Sequence, residues 1–158
     1  MLSLQIGTKK ITTERPSFVM GICNATSDSF YKKSRGGIKK AFELIEQGAD
    51  IIDIGAESTR PGFSEISSEE QINKIIPIIK AIRKKSDIPI SVDTRSSVVM
   101  SAAINEGADI LNDVSSLSSD KKMIDILQNN EISVILMHGF MQNEDKKSSV
   151  DIVNEVSD

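Results

Sequence analysis

The chain has no tryptophan and only one tyrosine, one histidine and one cysteine in 158 residues, and each scarcity removes a class of function. Without Trp and with a single Tyr there is no aromatic platform on which bases can stack. A lone cysteine forms neither an internal disulfide nor a Cys-based zinc site, and Cys23 lies in an apolar strand pattern that makes it a packing residue. Excess positive charge is also missing: 19 Lys and Arg stand against 23 Asp and Glu, a formal net charge of -4. Phosphate backbones demand a basic stripe, so no nucleic-acid partner is expected. No run approaches the roughly 18 apolar residues of a membrane span, and no charged-then-apolar leader opens the chain, so the expectation is a cytoplasmic protein with no membrane partner. Neither a P-loop nor a Gly-x-Gly-x-x-Gly fingerprint is present, which removes support for nucleotide hydrolysis or a Rossmann site. With 39% hydrophobic residues, the chain can bury a core, and a single domain over 1–158 acting on small molecules is expected.

Strand and helix signals alternate along the chain. Leu2 to Ile11 alternates weakly around Gly7-Thr8 and predicts a small hairpin lid. Ser17 to Cys23 is an apolar strand that ends at Asn24 in a polar loop. Ile38 to Gln47 has helical spacing, with Gly48 as its stop. Ile51-Ile52-Asp53-Ile54 is a poor helix and a good strand covered on both faces. Ser67-Ser68-Glu69-Glu70 opens a helix that runs to about Lys85, with Pro77 expected to kink it. Further strands are predicted at Ile90-Ser91-Val92, Ile110-Leu111 and Ser133 to Met137, and further helices at Val98 to Glu106 and Met123 to Gln128. Gly48-Ala49-Asp50-Ile51-Ile52-Asp53 recurs as Gly107-Ala108-Asp109-Ile110-Leu111-Asn112, one helix-stop-then-strand device used twice. Repeated strand-helix units imply a parallel sheet.

Each apolar strand finishes on a polar side chain: Asn24, Asp53, Asp93, Asn112 with Asp113, and His138. In a strand-helix barrel those ends gather on one face, where substrate binds. A carboxylate accepts two parallel N–H bonds and a carboxamide offers both donor and acceptor, so Asp93 and Asn112 are candidates for clamping the edge of a purine-like or pterin-like ring. The Asn24 carbonyl is a hard oxygen acceptable to Mg²⁺ when substrate phosphates complete its shell. Ser58, Thr59 and Arg60, in the loop after Ile54, suit an anionic oxygen. Asp53, Asp113 and His138 are expected as structural strand-end groups, because a strand-end carboxylate often caps the next helix and the one histidine has no visible metal-binding partner.

Taken together, Met20-Gly21-Ile22-Cys23-Asn24-Ala25-Thr26-Ser27-Asp28-Ser29-Phe30, the stretch from Gly48 to Gly62 with its Glu57-Ser58-Thr59-Arg60-Pro61-Gly62 loop, Ile90-Ser91-Val92-Asp93-Thr94, Ile110-Leu111-Asn112-Asp113-Val114 and Leu136-Met137-His138 closely resemble the dihydropteroate synthase family. The resemblance covers nearly the whole chain, in order and with family-like spacing. It implies an α/β fold, a TIM (β/α)₈ barrel of which this chain holds about the first five strand-helix units behind an N-terminal hairpin. The implied reaction joins 6-hydroxymethyl-7,8-dihydropterin diphosphate to 4-aminobenzoate and releases diphosphate, with Mg²⁺ as cofactor. By that resemblance Asp93 and Asn112 hold the pterin, Asn24 binds the metal and Thr59 contacts the diphosphate. Phe30, Ser58, Arg60 and Pro61 shape the aminobenzoate pocket and its loops, Asp28 and Arg60 are loop residues close to the chemistry, and no acid or base is assigned. A homodimer and sensitivity to sulfonamides are also implied.

Three residues depart from the family pattern: Ser27 replaces the usual Pro, Ala56 the usual Gly, and Lys32 a loop Asp. A complete barrel of this kind has about 250 residues, so the resemblance places the family's second pterin-side Asp, its Ser-Arg-Lys segment and its terminal Arg-x-His beyond Asp158. The expectation is a fragment that is inactive alone. Two other readings stay open: a degenerate half-barrel that binds pterin or a partner without catalysis, and a relative of the corrinoid-linked pterin methyltransferases, against which the Ser-Thr-Arg-Pro-Gly loop speaks.

Overall fold

A computed structural model describes residues 1–25, 36–56 and 66–137. The chain begins with an antiparallel hairpin, β1 (Leu2–Ile6) and β2 (Lys9–Thr13), then alternates strand and helix. The order is β3 (Met20–Asn24), α1 (Gly37–Glu46), β4 (Ile51–Gly55), α2 (Ser68–Arg83), β5 (Ile90–Asp93), α3 (Ser97–Asn105), β6 (Ile110–Asp113), α4 (Lys122–Asn129) and β7 (Ser133–Leu136). Strands β3 to β7 pair in parallel in chain order, the arrangement of a strand-helix barrel wall, in which each crossover returns to the neighbouring position.

One face of the sheet carries the main core. Cys23, Ile52, Ile54, Ile90, Val92 and Leu111 pack against Ile75, Ile78, Ile79 and Ile82 of α2, Val99, Met100 and Ala103 of α3, Ala41 of α1 and Met123 of α4. Strand β4 is buried along its whole length, as a parallel strand covered on both faces must be. The Ser67 hydroxyl caps α2, accepting from Glu70 N at 3.1 Å, and Ser96 caps α3. The helix continues through Pro77, where it forgoes the hydrogen bond that proline cannot donate and accommodates the ring against the preceding turn.

The repeated Gly-Ala-Asp segment is one structural device built twice. Gly48 and Gly107 adopt φ of 90° and 97°, a left-handed conformation that glycine adopts without a Cβ penalty. Gly48 N donates to Ile45 O and Ala49 N to Leu44 O, while Gly107 N donates to Ile104 O and Ala108 N to Ala103 O, so both helices close with the same Schellman pair of bonds. The following aspartate then ties the turn to a neighbouring strand. Asp50 Oδ2 accepts from Val19 N at 2.7 Å and from the Arg15 guanidinium, which also holds Gly48 O. Asp109 Oδ2 accepts from Ile90 N at 2.9 Å and from Arg83 Nη2 at 2.6 Å, and Arg83 also holds Gly107 O. Asp109 takes a third partner from the hairpin, Lys9 Nζ at 2.7 Å.

The hairpin does not lie over the strand ends where the polar residues gather. Ile6 packs against Ile51 and Ile110, with Ile11 and Met20 beside them, and Gly7 N donates to Ser133 Oγ at 3.0 Å. Those partners sit toward the starts of their strands, so the hairpin plugs the amino end of the barrel wall. Burying Ile6 to 2% exposure on the inner face there closes an apolar floor that the sheet alone would leave open to water.

Candidate functional site

The parallel register places Asn24 opposite Gly55, Gly55 opposite Asp93, and Asp93 opposite Asn112. Four consecutive strands thus contribute one rung at their carboxyl ends. In-register residues of a parallel sheet share a face, and Gly55 shows which one. A Cβ on Gly55 would meet Asp93 Cβ and Oδ2 at 3.4 Å and Asn24 Oδ1 at 3.7 Å. The absent side chain therefore opens a cradle bounded by a carboxylate oxygen and a carboxamide.

Below this rung lies a second, formed by Ile22, Asp53, Ser91 and Ile110. Asp53 is not at the end of its strand, because β4 continues to Gly55. It sits two residues deeper, 6% exposed, where Ser91 Oγ donates to its Oδ1 at 2.6 Å and Asn112 Nδ2 reaches Oδ1 and Oδ2 at 3.3 and 3.4 Å. Burial pushes the Asp53 carboxyl above the ordinary carboxylate range, opposed by the hydrogen bonds from Ser91 and Asn112. It supports the rung from beneath, so the strand-end role expected for it belongs to Gly55.

Asp113 takes no part in the cradle. Its Oδ1 accepts from Ser115 N and Ser115 Oγ, both at 2.7 Å, and its Oδ2 from Leu117 N at 2.9 Å. The turn it holds contains Ser116 and Leu117 at φ of 53° and 63°, a conformation costly for residues with a Cβ. The carboxylate's three bonds offset that strain, so Asp113 shapes the loop after β6. Next to Asp93, Thr94 Oγ1 donates to Gln71 Oε1 at 3.1 Å and accepts from Ser96 N at 3.2 Å, fixing the strand end to the starts of α2 and α3. Asp28, Phe30, Lys32, Ser58, Thr59, Arg60, Pro61 and His138, together with Ser27, lie outside the described residues. Ala56, described and fully buried, fits its methyl into the core.

Gly55 and Ser91 were not among the residues singled out from sequence. The signal for both is period two: Asp53 and Gly55 share one face of β4, and Ser91 and Asp93 share one face of β5. An Asp-x-Gly pair beside a Ser-x-Asp pair therefore puts two polar layers on the same side of the sheet.

Among the described residues no three His, Cys, Asp or Glu side chains cluster as a metal site. Asn24 Oδ1 beside the Asp93 carboxylate is nevertheless a hard-oxygen environment of the kind Mg²⁺ accepts when it keeps waters and substrate oxygens in most of its shell. The two acceptors flank the space that a Gly55 side chain would fill.

Residues 20–158 match the family described as pterin binding enzyme. The chain belongs to the pterin-binding enzyme family. It is 39% identical to a dihydropteroate synthase of Clostridium beijerinckii, in an alignment covering 98% of this chain and 60% of that protein. A solved dihydropteroate synthase of Xanthomonas albilineans with 4-aminobenzoic acid superposes with a TM-score of 0.81 at 33% identity, covering 98% of this chain and 58% of that one. The Burkholderia cenocepacia enzyme complexed with 7,8-dihydropteroate gives a TM-score of 0.80 at 32% identity, over 98% and 55%. The chain therefore spans a little over half the length of these relatives, and its five-stranded wall is the corresponding part of their (β/α)₈ barrel.

Proposed function

We propose that this chain carries the pterin-recognising wall of a dihydropteroate synthase, the transferase that condenses 6-hydroxymethyl-7,8-dihydropterin diphosphate with 4-aminobenzoate. The observation that carries this is the single rung of Asn24, Gly55, Asp93 and Asn112, a carboxylate and a carboxamide on adjacent strands beside a glycine cradle. A flat ring laid on that rung offers its N–H edge to the Asp93 carboxylate and to Asn112, each a geometry that a planar heteroaromatic satisfies without distortion. Full synthase turnover is proposed for the chain together with a segment equivalent to the remaining length of its relatives.

The chemistry asks little of a protein nucleophile. Breaking the bond between the exocyclic methylene and the diphosphate oxygen leaves a cation delocalised into the pterin, the aminobenzoate nitrogen then forms the new C–N bond, and its proton leaves to solvent. The wall's part is to hold the ring so that the methylene faces the incoming amine. Asn24 would hold Mg²⁺, which when bound offsets the charge of the departing diphosphate. Thr59 is assigned to the diphosphate, and Phe30, Ser58, Arg60 and Pro61 to the aminobenzoate pocket, with Asp28 and Arg60 as the loop residues that could act in catalysis; this support is the sequence resemblance. The same resemblance supports a homodimeric enzyme and sulfonamide sensitivity, while length and composition support a single domain and a cytoplasmic location, and among the described residues no helix is long and apolar enough to cross a membrane.

The test is a calorimetric titration of a dihydropterin into the wild-type chain and Asp93→Ala. Loss of two charge-assisted hydrogen bonds, at about 1.5–2 kcal/mol each, weakens binding by a factor on the order of 100 to 1,000. Equal affinity for the two proteins would remove Asp93 from the site.

A further inference from the structure

Asn112, like Asn24 on the far side of the rung, is a side chain whose chemistry depends on which way round it is held. Its carboxamide has an acceptor end and a donor end of nearly the same size, and a ring edge placed against it meets a different pattern in each orientation. The second rung decides between them. Asp53 lies one layer down and two strands across, on β4, 6% exposed, and its oxygens receive Asn112 Nδ2 at 3.3 and 3.4 Å. Asp53 is itself held by Ser91, which is fully buried and donates to Oδ1 at 2.6 Å. While the Asp53 carboxylate is charged it has no hydrogen to give, so the Asn112 amide satisfies it only with its nitrogen; turned over, two oxygens would face each other in a buried layer, which is strongly disfavoured.

We infer that Asp53 is a positioning residue for ring recognition: through its bond to Nδ2 it fixes the Asn112 carboxamide in one orientation. The carbonyl oxygen is turned away from Asp53, and the acceptor and the second amide hydrogen are presented at the rung in a single order. Ser91 holds the carboxylate in the rotamer that does this. Together with the acceptor oxygens of Asp93 on the adjacent strand, the wall then reads an edge by its order of donors and acceptors. A ligand of the same shape with one donor replaced by an acceptor is rejected, since a buried polar group is then left without its partner. This rests on the assignment of the rung as the pterin site and adds to it the residue that sets its specificity.

The experiment compares two ligands of equal shape, a pterin and its 2-oxo isostere, in which an exocyclic amino donor becomes a carbonyl acceptor. Each is titrated into the wild-type chain, Asp53→Asn and Asp93→Ala. Asn at position 53 can accept from Asn112 Nδ2 or donate to its Oδ1, so both orientations of Asn112 become available while size and the bond from Ser91 are kept. The expected result is a preference of at least tenfold for the pterin in the wild type, reduced fivefold or more in Asp53→Asn, with the affinity for the isostere raised or unchanged. A general structural defect would instead weaken both ligands in parallel, and that outcome overturns the inference. The ¹⁵N-correlated spectrum gives a second readout: in the wild type the Asn112 side-chain amide has one hydrogen shifted downfield by the carboxylate, and the shift disappears in Asp53→Asn. A full preference retained in Asp53→Asn, with an unmoved Asn112 amide, overturns the positioning role. If Asp93→Ala also binds pterin as the wild type does, the site assignment fails; if Asp93→Ala loses binding, only the role of Asp53 does.

Discussion

Replacing Asp109 and Asp50 with alanine separates two copies of the same motif by their surroundings. Both aspartates follow a Gly-Ala turn, take a backbone N–H from a neighbouring strand and bind an arginine that also holds the turn glycine. The settings differ in exposure. Around Asp109 the side-chain exposures are 13% for the aspartate and 18% for Arg83, and Lys9 adds a second cation. At Asp50 the aspartate is nearly as buried, at 17%, but its arginine is 44% exposed, so solvent screens that pair more. Losing Asp109 strips the charge partner from a half-buried guanidinium and leaves Ile90 N without an acceptor. Breaking a fully buried pair costs about 3–5 kcal/mol. Arg83 keeps its bonds to Gly107, Ser86 and Ile88 carbonyls, which favours the lower end, about 3 kcal/mol. Asp50→Ala costs about 1 kcal/mol, the worth of one backbone bond and a screened pair. At roughly 2–4 °C per kcal/mol for a chain of this size, Asp109→Ala lowers the melting temperature by about 6–12 °C and Asp50→Ala by about 2–4 °C. Thermal melts followed by circular dichroism measure both. Equal shifts, or a larger one for Asp50→Ala, would refute the claim that burial sets the value of these clasps.

Three further outcomes are expected. Gly55→Ala places a methyl at ordinary contact distances from Asp93 and Asn24, so its stability stays within about 1 kcal/mol of wild type while dihydropterin or Mg²⁺-dependent binding falls at least tenfold; equal binding would show that the cradle is not used. Cys23 is fully buried and its thiol is pushed up from 9.0 to about 11 by burial, with Asp53 adding to the shift and Lys40 opposing it. Because the folded thiol holds its proton more tightly than the unfolded one, stability falls as pH rises from 9 to 11, by about 2–3 kcal/mol in total, and urea melts of Cys23→Ala should lack that part of the slope. Ser67→Ala removes the cap of α2 and should cost about 1 kcal/mol in the same melts without altering ligand affinity; a change in affinity would mean that the start of α2 belongs to the site.

The order of strands and helices was legible because each element is written locally. β-branched runs such as Ile51 to Ile54 and Ser133 to Leu136 mark strands, Ser67 and Ser96 mark helix starts, and Gly48 and Gly107 mark helix stops. The repeated Gly-Ala-Asp segment told more than its periodicity, since each residue type has one place in the Schellman turn and clasp. What was less legible depends on pairing between distant segments. Asp53 looked like a strand end because it is the only charge in an apolar run; only the register with Asn24 and Asp93 shows that Gly55 holds that position. Asp113 beside Asn112 looked equivalent to it, yet alternation turns one into the loop and the other into the rung. The hairpin was visible as a pair of strands, but nothing in Leu2 to Ile11 says which end of the barrel wall Ile6 will plug, because its partners Ile51 and Ile110 lie far away in sequence.

Chemical-shift mapping with a dihydropterin shows whether one rung of the parallel sheet binds the ring. The largest backbone perturbations are expected on Asn24, Gly55, Asp93 and Asn112, with side-chain amide shifts at Asn24 and Asn112 and none in the hairpin from Leu2 to Thr13. Perturbations centred on the hairpin end, or none at saturating ligand, would contradict it.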